Sequence, residues 1–136
     1  MQQYIRSNYL SLAFLIAFAA TVGSQFFERI LAFPPCDLCW YQRIFMYPLA
    51  VILGIAMLKK DHNVRSYCLV LSVIGFTLAV YHYLLQLFPT VLPCTSSTLS
   101  CATRQWEVFG FISIPFLSGS AFLGIIILMW LGKKKN

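Results

Sequence analysis

Four apolar runs, at about residues 9–27, 40–58, 66–88 and 111–131, occupy most of this 136-residue chain. Each is close to the ~20 apolar residues that cross a bilayer as a helix. What remains is short connections and two ends, too little for a soluble domain. Charged residues make up only 10% of the chain, against roughly a quarter in soluble proteins, which excludes a water-soluble globule. The expectation is an all-α integral membrane four-helix bundle, a single membrane domain spanning 1–136.

Lysine and arginine in short connections set orientation, because basic residues stay on the cytoplasmic side. Arg6, the turn with Lys59, Lys60 and Arg65, and the tail Lys133 to Lys135 fall on one side of a four-span chain. That side is expected to be cytoplasmic and to hold both termini. On the other side Arg29, Arg43 and Arg104 are balanced by Glu28, Asp37 and Glu107, giving two extracytoplasmic loops. The net charge of +6 therefore reports topology. Its residues flank helices and form no continuous basic stripe, which argues against a nucleic-acid partner. Arg6 followed by an apolar run and Ala17-Phe18-Ala19 imitates a secretory signal with its cleavage site. The run continues to Phe27, so a retained first span is expected.

Sulfur is concentrated in the two outer loops. Cys36 and Cys39 follow Pro34-Pro35, a stiff entry that suits the start of the second helix. Cys94 and Cys101 enclose six residues in a polar stretch rich in serine and threonine. Two-residue cysteine spacing at a helix start is a thiol redox pattern, because unpaired backbone N–H groups and the helix dipole stabilise a thiolate. A six-residue ring removes little chain entropy when closed, so Cys94–Cys101 is a weak staple and suits exchange. Two structural disulfides, or a four-cysteine zinc site in a membrane zinc-binding or scaffold protein, are the competing readings of the same spacing. Cys68, inside an apolar run, reads as a small packing residue.

Three polar side chains stand inside the spans. Arg43 lies four residues after Cys39 on the same helical face, about 10 Å below the membrane boundary by helical rise. His82 is at a similar depth before Pro89, and Gln86 shares its face. Intramembrane ionisable groups mark functional sites, and these three could hold the carbonyl oxygens of a quinone. Snorkelling of Arg43 and simple helix–helix hydrogen bonding by His82 and Gln86 are the bland alternatives. Pro48 and Pro115 are expected to bend their helices.

Three segments carry a resemblance: Cys36-Asp37-Leu38-Cys39-Trp40-Tyr41-Gln42-Arg43, Tyr81-His82-Tyr83-Leu84-Leu85-Gln86-Leu87-Phe88-Pro89, and Cys101-Ala102-Thr103-Arg104-Gln105-Trp106. In that order the chain resembles the DsbB family of membrane disulfide oxidoreductases, and most closely its short BdbC-type members. The resemblance implies an enzyme of the cytoplasmic membrane that reoxidises a DsbA-like thioredoxin-fold thiol oxidase outside the cell membrane. Electrons would pass to a quinone of the ubiquinone or menaquinone type. It further implies that Cys94 takes the partner's thiolate in a mixed disulfide, that Cys101 then exchanges with Cys36, and that Cys39 faces the quinone. Arg43 would contact that quinone, with His82 as a second contact. Two departures stand out. The six-residue spacing leaves no room for the membrane-hugging helix of larger members. Gln42 stands where an acidic residue is common, which leads one to expect an unusually positive quinone pocket.

Overall fold

The computed structural model describes residues 1–32, 37–88 and 107–132. Four helices carry the architecture: α1 (Gln2–Arg29), α2 (Asp37–Lys59), α3 (Arg65–Leu87) and α4 (Ile114–Leu131). All four are long and apolar enough to cross a membrane. They pack in the cyclic order α1–α2–α3–α4, each against its two neighbours, as a four-helix membrane bundle.

Helix ends follow local chemistry and refine the expected spans. α1 reaches Arg29, so Glu28 belongs to a helix rather than a loop, and its backbone departs from helical geometry only at Asn8. α2 continues through Pro48 as one helix, although proline removes one backbone hydrogen bond there. Pro115 does not bend α4: it occupies the first turn, where its missing N–H needs no partner. The fourth span therefore starts three residues later than the hydropathy suggests.

The intervening residues form a small antiparallel hairpin, β1 (Glu107–Val108) with β2 (Ile112–Ser113). Its turn uses left-handed backbone at Phe109 and Gly110. The Tyr83 hydroxyl donates to the Phe111 carbonyl at 3.2 Å, and the Phe111 ring meets Phe116 edge-on. These contacts fasten the hairpin to α3 and α4.

The core is built by size matching. Phe122 of α4 is fully buried against Gly75 of α3, where an added Cβ would sit 2.3 Å from the ring. In lipid, where no hydrophobic force pulls helices together, such close approach through small residues supplies the packing. Cys68 is wholly buried in the same apolar core, with no disulfide. At the basic end of the bundle, Tyr9 Oη and His62 Nδ1 lie 2.6 Å apart with their rings stacked. Arg65 Nε donates to the Met129 carbonyl, tying α3 to α4.

Gly75→Ala forces Phe122 to move and should destabilise the protein by roughly 1–3 kcal/mol, the usual range for overpacking. Gly23, whose added Cβ meets nothing within 4 Å, should accept alanine with no loss. Thermal unfolding of the two variants in one detergent checks the contrast.

Candidate functional site

α2 begins at Asp37, so Cys39 lies in its first turn, among backbone N–H groups that lack helical partners. Leu38 and Cys39 pack against the buried Leu85 of α3, which fixes the turn against its neighbour. One turn deeper, Gln42 and Arg43 are both buried. Cys36, Cys94 and Cys101 lie outside the described residues.

Arg43 finds its partners within the bundle. Its Nε donates to Ser24 Oγ at 2.8 Å and its Nη2 to the Ser24 carbonyl at 3.2 Å. Its Nη1 forms an ion pair with Glu28 Oε2. The guanidinium also lies over the Trp40 ring, 5.4 Å from its centre, a favourable cation–π geometry. Three of the five N–H donors of an arginine are thereby used on α1, and the other two have no partner among the described residues. Below this, Gln25 Nε2 donates to the Tyr47 hydroxyl at 2.5 Å. Ser24 and Glu28 are one turn apart on α1, as are Arg43 and Tyr47 on α2, so two helices meet along a polar seam.

That seam borders a cavity of about 500 Å³ between α1, α2 and α4. Ile16, Ala19, Ala20, Met46, Leu117 and Ala121 supply much of its apolar wall, while Ser24, Glu28, Gln42 and Arg43 gather with Cys39 at one end. From Glu28 to Ile16 the wall runs twelve residues of α1, about 18 Å at the helical rise. An elongated apolar space with a few convergent polar groups at one end is the usual form of a small-molecule site.

His82 and Gln86, expected beside Arg43, are placed differently. Both are buried on α3, a helix that contributes nothing to the cavity wall among the described residues. His82 Nδ1 lies 3.2 Å from Gln42 Nε2. His82 thus stands behind Gln42, which does line the cavity. Gln86 Oε1 is buried without a hydrogen-bond partner among the described residues. Beside Gln42, Glu28 brings a carboxylate to the same wall from α1. In the sequence Glu28 stands only as an outer charge at the end of the first span, and Ser24 and Tyr47 are not singled out. The signal was present as polar residues spaced by four at the end of an apolar run.

Comparison with known proteins bears on this geometry. The family model "Disulfide bond formation protein DsbB" matches residues 6–132. The chain belongs to the DsbB family. It is 45% identical over 133 residues to a probable disulfide formation protein C 2 of Bacillus anthracis, covering 97% of this chain and 95% of that protein. It is 44% identical over 131 residues to disulfide bond formation protein C of Bacillus subtilis (strain 168), with 94% of each covered. A probable disulfide formation protein of Coxiella burnetii (strain RSA 493 / Nine Mile phase I) is 45% identical over 121 residues, covering 86% and 82% of the two chains. No solved structure matches. Family and four membrane-capable helices together make this DsbB-family chain a multi-pass protein of the cell membrane with the role of a disulfide oxidoreductase.

Replacing Arg43 with leucine strips Ser24 and Glu28 of their shared partner and should destabilise the bundle by roughly 1–3 kcal/mol. Arg29→Ala removes only an exposed 3.3 Å bond to Gln25 and should stay within about 0.5 kcal/mol of the parent. Thermal unfolding of both variants gives the comparison.

Proposed function

We propose that the chain reoxidises an extracytoplasmic DsbA-like thioredoxin-fold protein and passes the electrons to a membrane quinone, supporting disulfide formation in exported proteins. The observation that carries this reading is Cys39 sharing one cavity wall with a fixed arginine, in an apolar space between membrane helices. The lysine and arginine distribution supports cytoplasmic termini and outward-facing cysteines.

The residues fit a quinone. The two remaining N–H donors of Arg43 suit a carbonyl oxygen, Gln42 offers a second polar group, and Ile16, Ala19 and Ala20 suit an apolar tail. A bound quinone supplies a two-electron, two-proton sink that a thiol partner does not readily reverse. The chain's own part is thiol exchange. Cys94 accepts the partner's thiolate, a mixed disulfide forms and the Cys101 thiolate leaves. Cys101 then attacks Cys36 of the Cys36–Cys39 disulfide, forming Cys36–Cys101 and releasing Cys39 as the thiolate. The partner's second thiol displaces Cys94, whose thiolate attacks Cys101, re-forming Cys94–Cys101 and releasing Cys36. The start of α2 stabilises that thiolate, through unpaired N–H groups and the positive end of the dipole. His82 acts through Gln42, orienting its amide at the cavity wall.

Two measurements test the relay. Purified protein, supplied with a reduced thioredoxin-fold oxidase and a soluble quinone, should consume quinone, and Cys39→Ser should reduce that rate to background. In Cys101→Ala, a disulfide-linked adduct with the oxidase should accumulate and map to Cys94 by peptide mass. An adduct at Cys36 would reverse the order of stations, and unimpaired turnover by Cys39→Ser would remove the electron path.

A further inference from the structure

Glu28 lies on the cavity wall with Arg43, and the pair is held on several sides at once. Ser24 takes two further guanidinium N–H groups and the Trp40 ring covers a face. Arg43 is therefore fixed in position and its charge is met by a carboxylate within the same wall. Cys39, one turn before Arg43 on α2, faces the same cavity. Residues spaced by four on a helix are neighbours, so a lone guanidinium would act strongly on the sulfur. The Glu28 side chain is only 30% exposed, and solvent screening between these groups is correspondingly reduced.

We propose that Glu28 is a positioning residue that holds Arg43 in the cavity wall and cancels its charge there, so that Cys39 and an electron acceptor meet a neutral pair. The arginine then offers directed N–H donors without acting as a free cation, and the reactivity of Cys39 is set by the start of α2. Glu28 works through Arg43, with which it forms the ion pair. The acceptor half of this statement rests on the cavity being the quinone site, whereas the thiol half does not.

The test uses full-length protein carrying Cys94→Ala and Cys101→Ala, which leaves Cys36 and Cys39 as the exchanging pair, equilibrated with reduced and oxidised glutathione. In that reaction two glutathione thiols reduce one protein disulfide and leave one oxidised glutathione. Removing the carboxylate frees the cation, favours thiolate, and should shift the equilibrium towards the dithiol. Glu28→Gln is expected to move it on the order of tenfold, with faster alkylation of reduced Cys39 at pH 7. Arg43→Gln, which strands the carboxylate, should move both in the opposite direction. The double variant Glu28→Gln/Arg43→Gln should return both to within about twofold of the parent.

A merely structural role for Glu28 would not give opposite signs that cancel. Unchanged equilibrium and alkylation in Glu28→Gln, or a double variant that keeps the single variant's shift, would overturn the proposal. Should Glu28→Gln fail to accumulate, Arg43→Gln against the double variant gives the same comparison from the other corner: recovery supports charge cancellation and no recovery refutes it. Binding of a soluble quinone to the parent protein is measured separately. Cancelling thiol shifts without quinone binding sustain the role of Glu28 towards Cys39 and reject the acceptor site. Quinone binding without thiol shifts does the reverse.

Discussion

A guanidinium inside a membrane bundle is the constraint around which this structure is arranged. An unpaired charge at that depth is costly enough that Arg43 must be satisfied within the protein. The partners come from α1, whose outer third must stay apolar enough to span and yet present Ser24, Gln25 and Glu28 to α2. Helical spacing resolves the conflict. Residues 24, 25 and 28 turn one narrow polar strip towards Arg43 and Tyr47, while Val22 and Phe26 remain exposed to the surroundings. The strip aligns α1 and α2 in register, because sliding one helix by a turn would separate both polar rungs.

That alignment decides where the bundle closes and where it stays open. Along the α3–α4 seam Gly75 receives Phe122, and the Gly119 backbone lies close to Ala79. Along α1 the small residues have no such filler: Gly23 faces open space, and with Ala19 and Ala20 it lines the cavity. Small side chains thus do opposite things on the two sides, closing one interface and opening the other. The polar rungs hold α1 and α2 in place across the gap, which keeps it from collapsing onto the apolar wall.

The spans were legible in the sequence because hydropathy is a local property. Arg43 was legible as exceptional for the same reason: a charge in an apolar run needs no structure to be noticed. Its partner was not, since Glu28 sits at the edge of a run and whether it belongs to helix or loop depends on how far α1 extends. Depth arithmetic put His82 level with Arg43 correctly in height, but height does not give direction around the bundle. His82 therefore reaches Gln42 rather than the cavity wall itself. The hairpin before α4 was missed because two-residue strands are too short to show alternation. Pro115 was misread for want of a helix boundary, the one fact that separates a starting proline from a bending one.

Once Arg43 is seen as half of an ion pair, the electrostatics of the thiol site change. A helix start and a lone arginine one turn away would both stabilise a thiolate. With the arginine charge cancelled as proposed, the helix start is left as the main influence, tempered by Asp37 in the same turn. Such a site holds a thiolate without holding it so firmly that electrons cannot move on, since a strongly stabilised reduced form is a poor donor. In the proposed relay, a cation cancelled within the cavity wall therefore suits a pair that accepts electrons from one side and gives them up on the other.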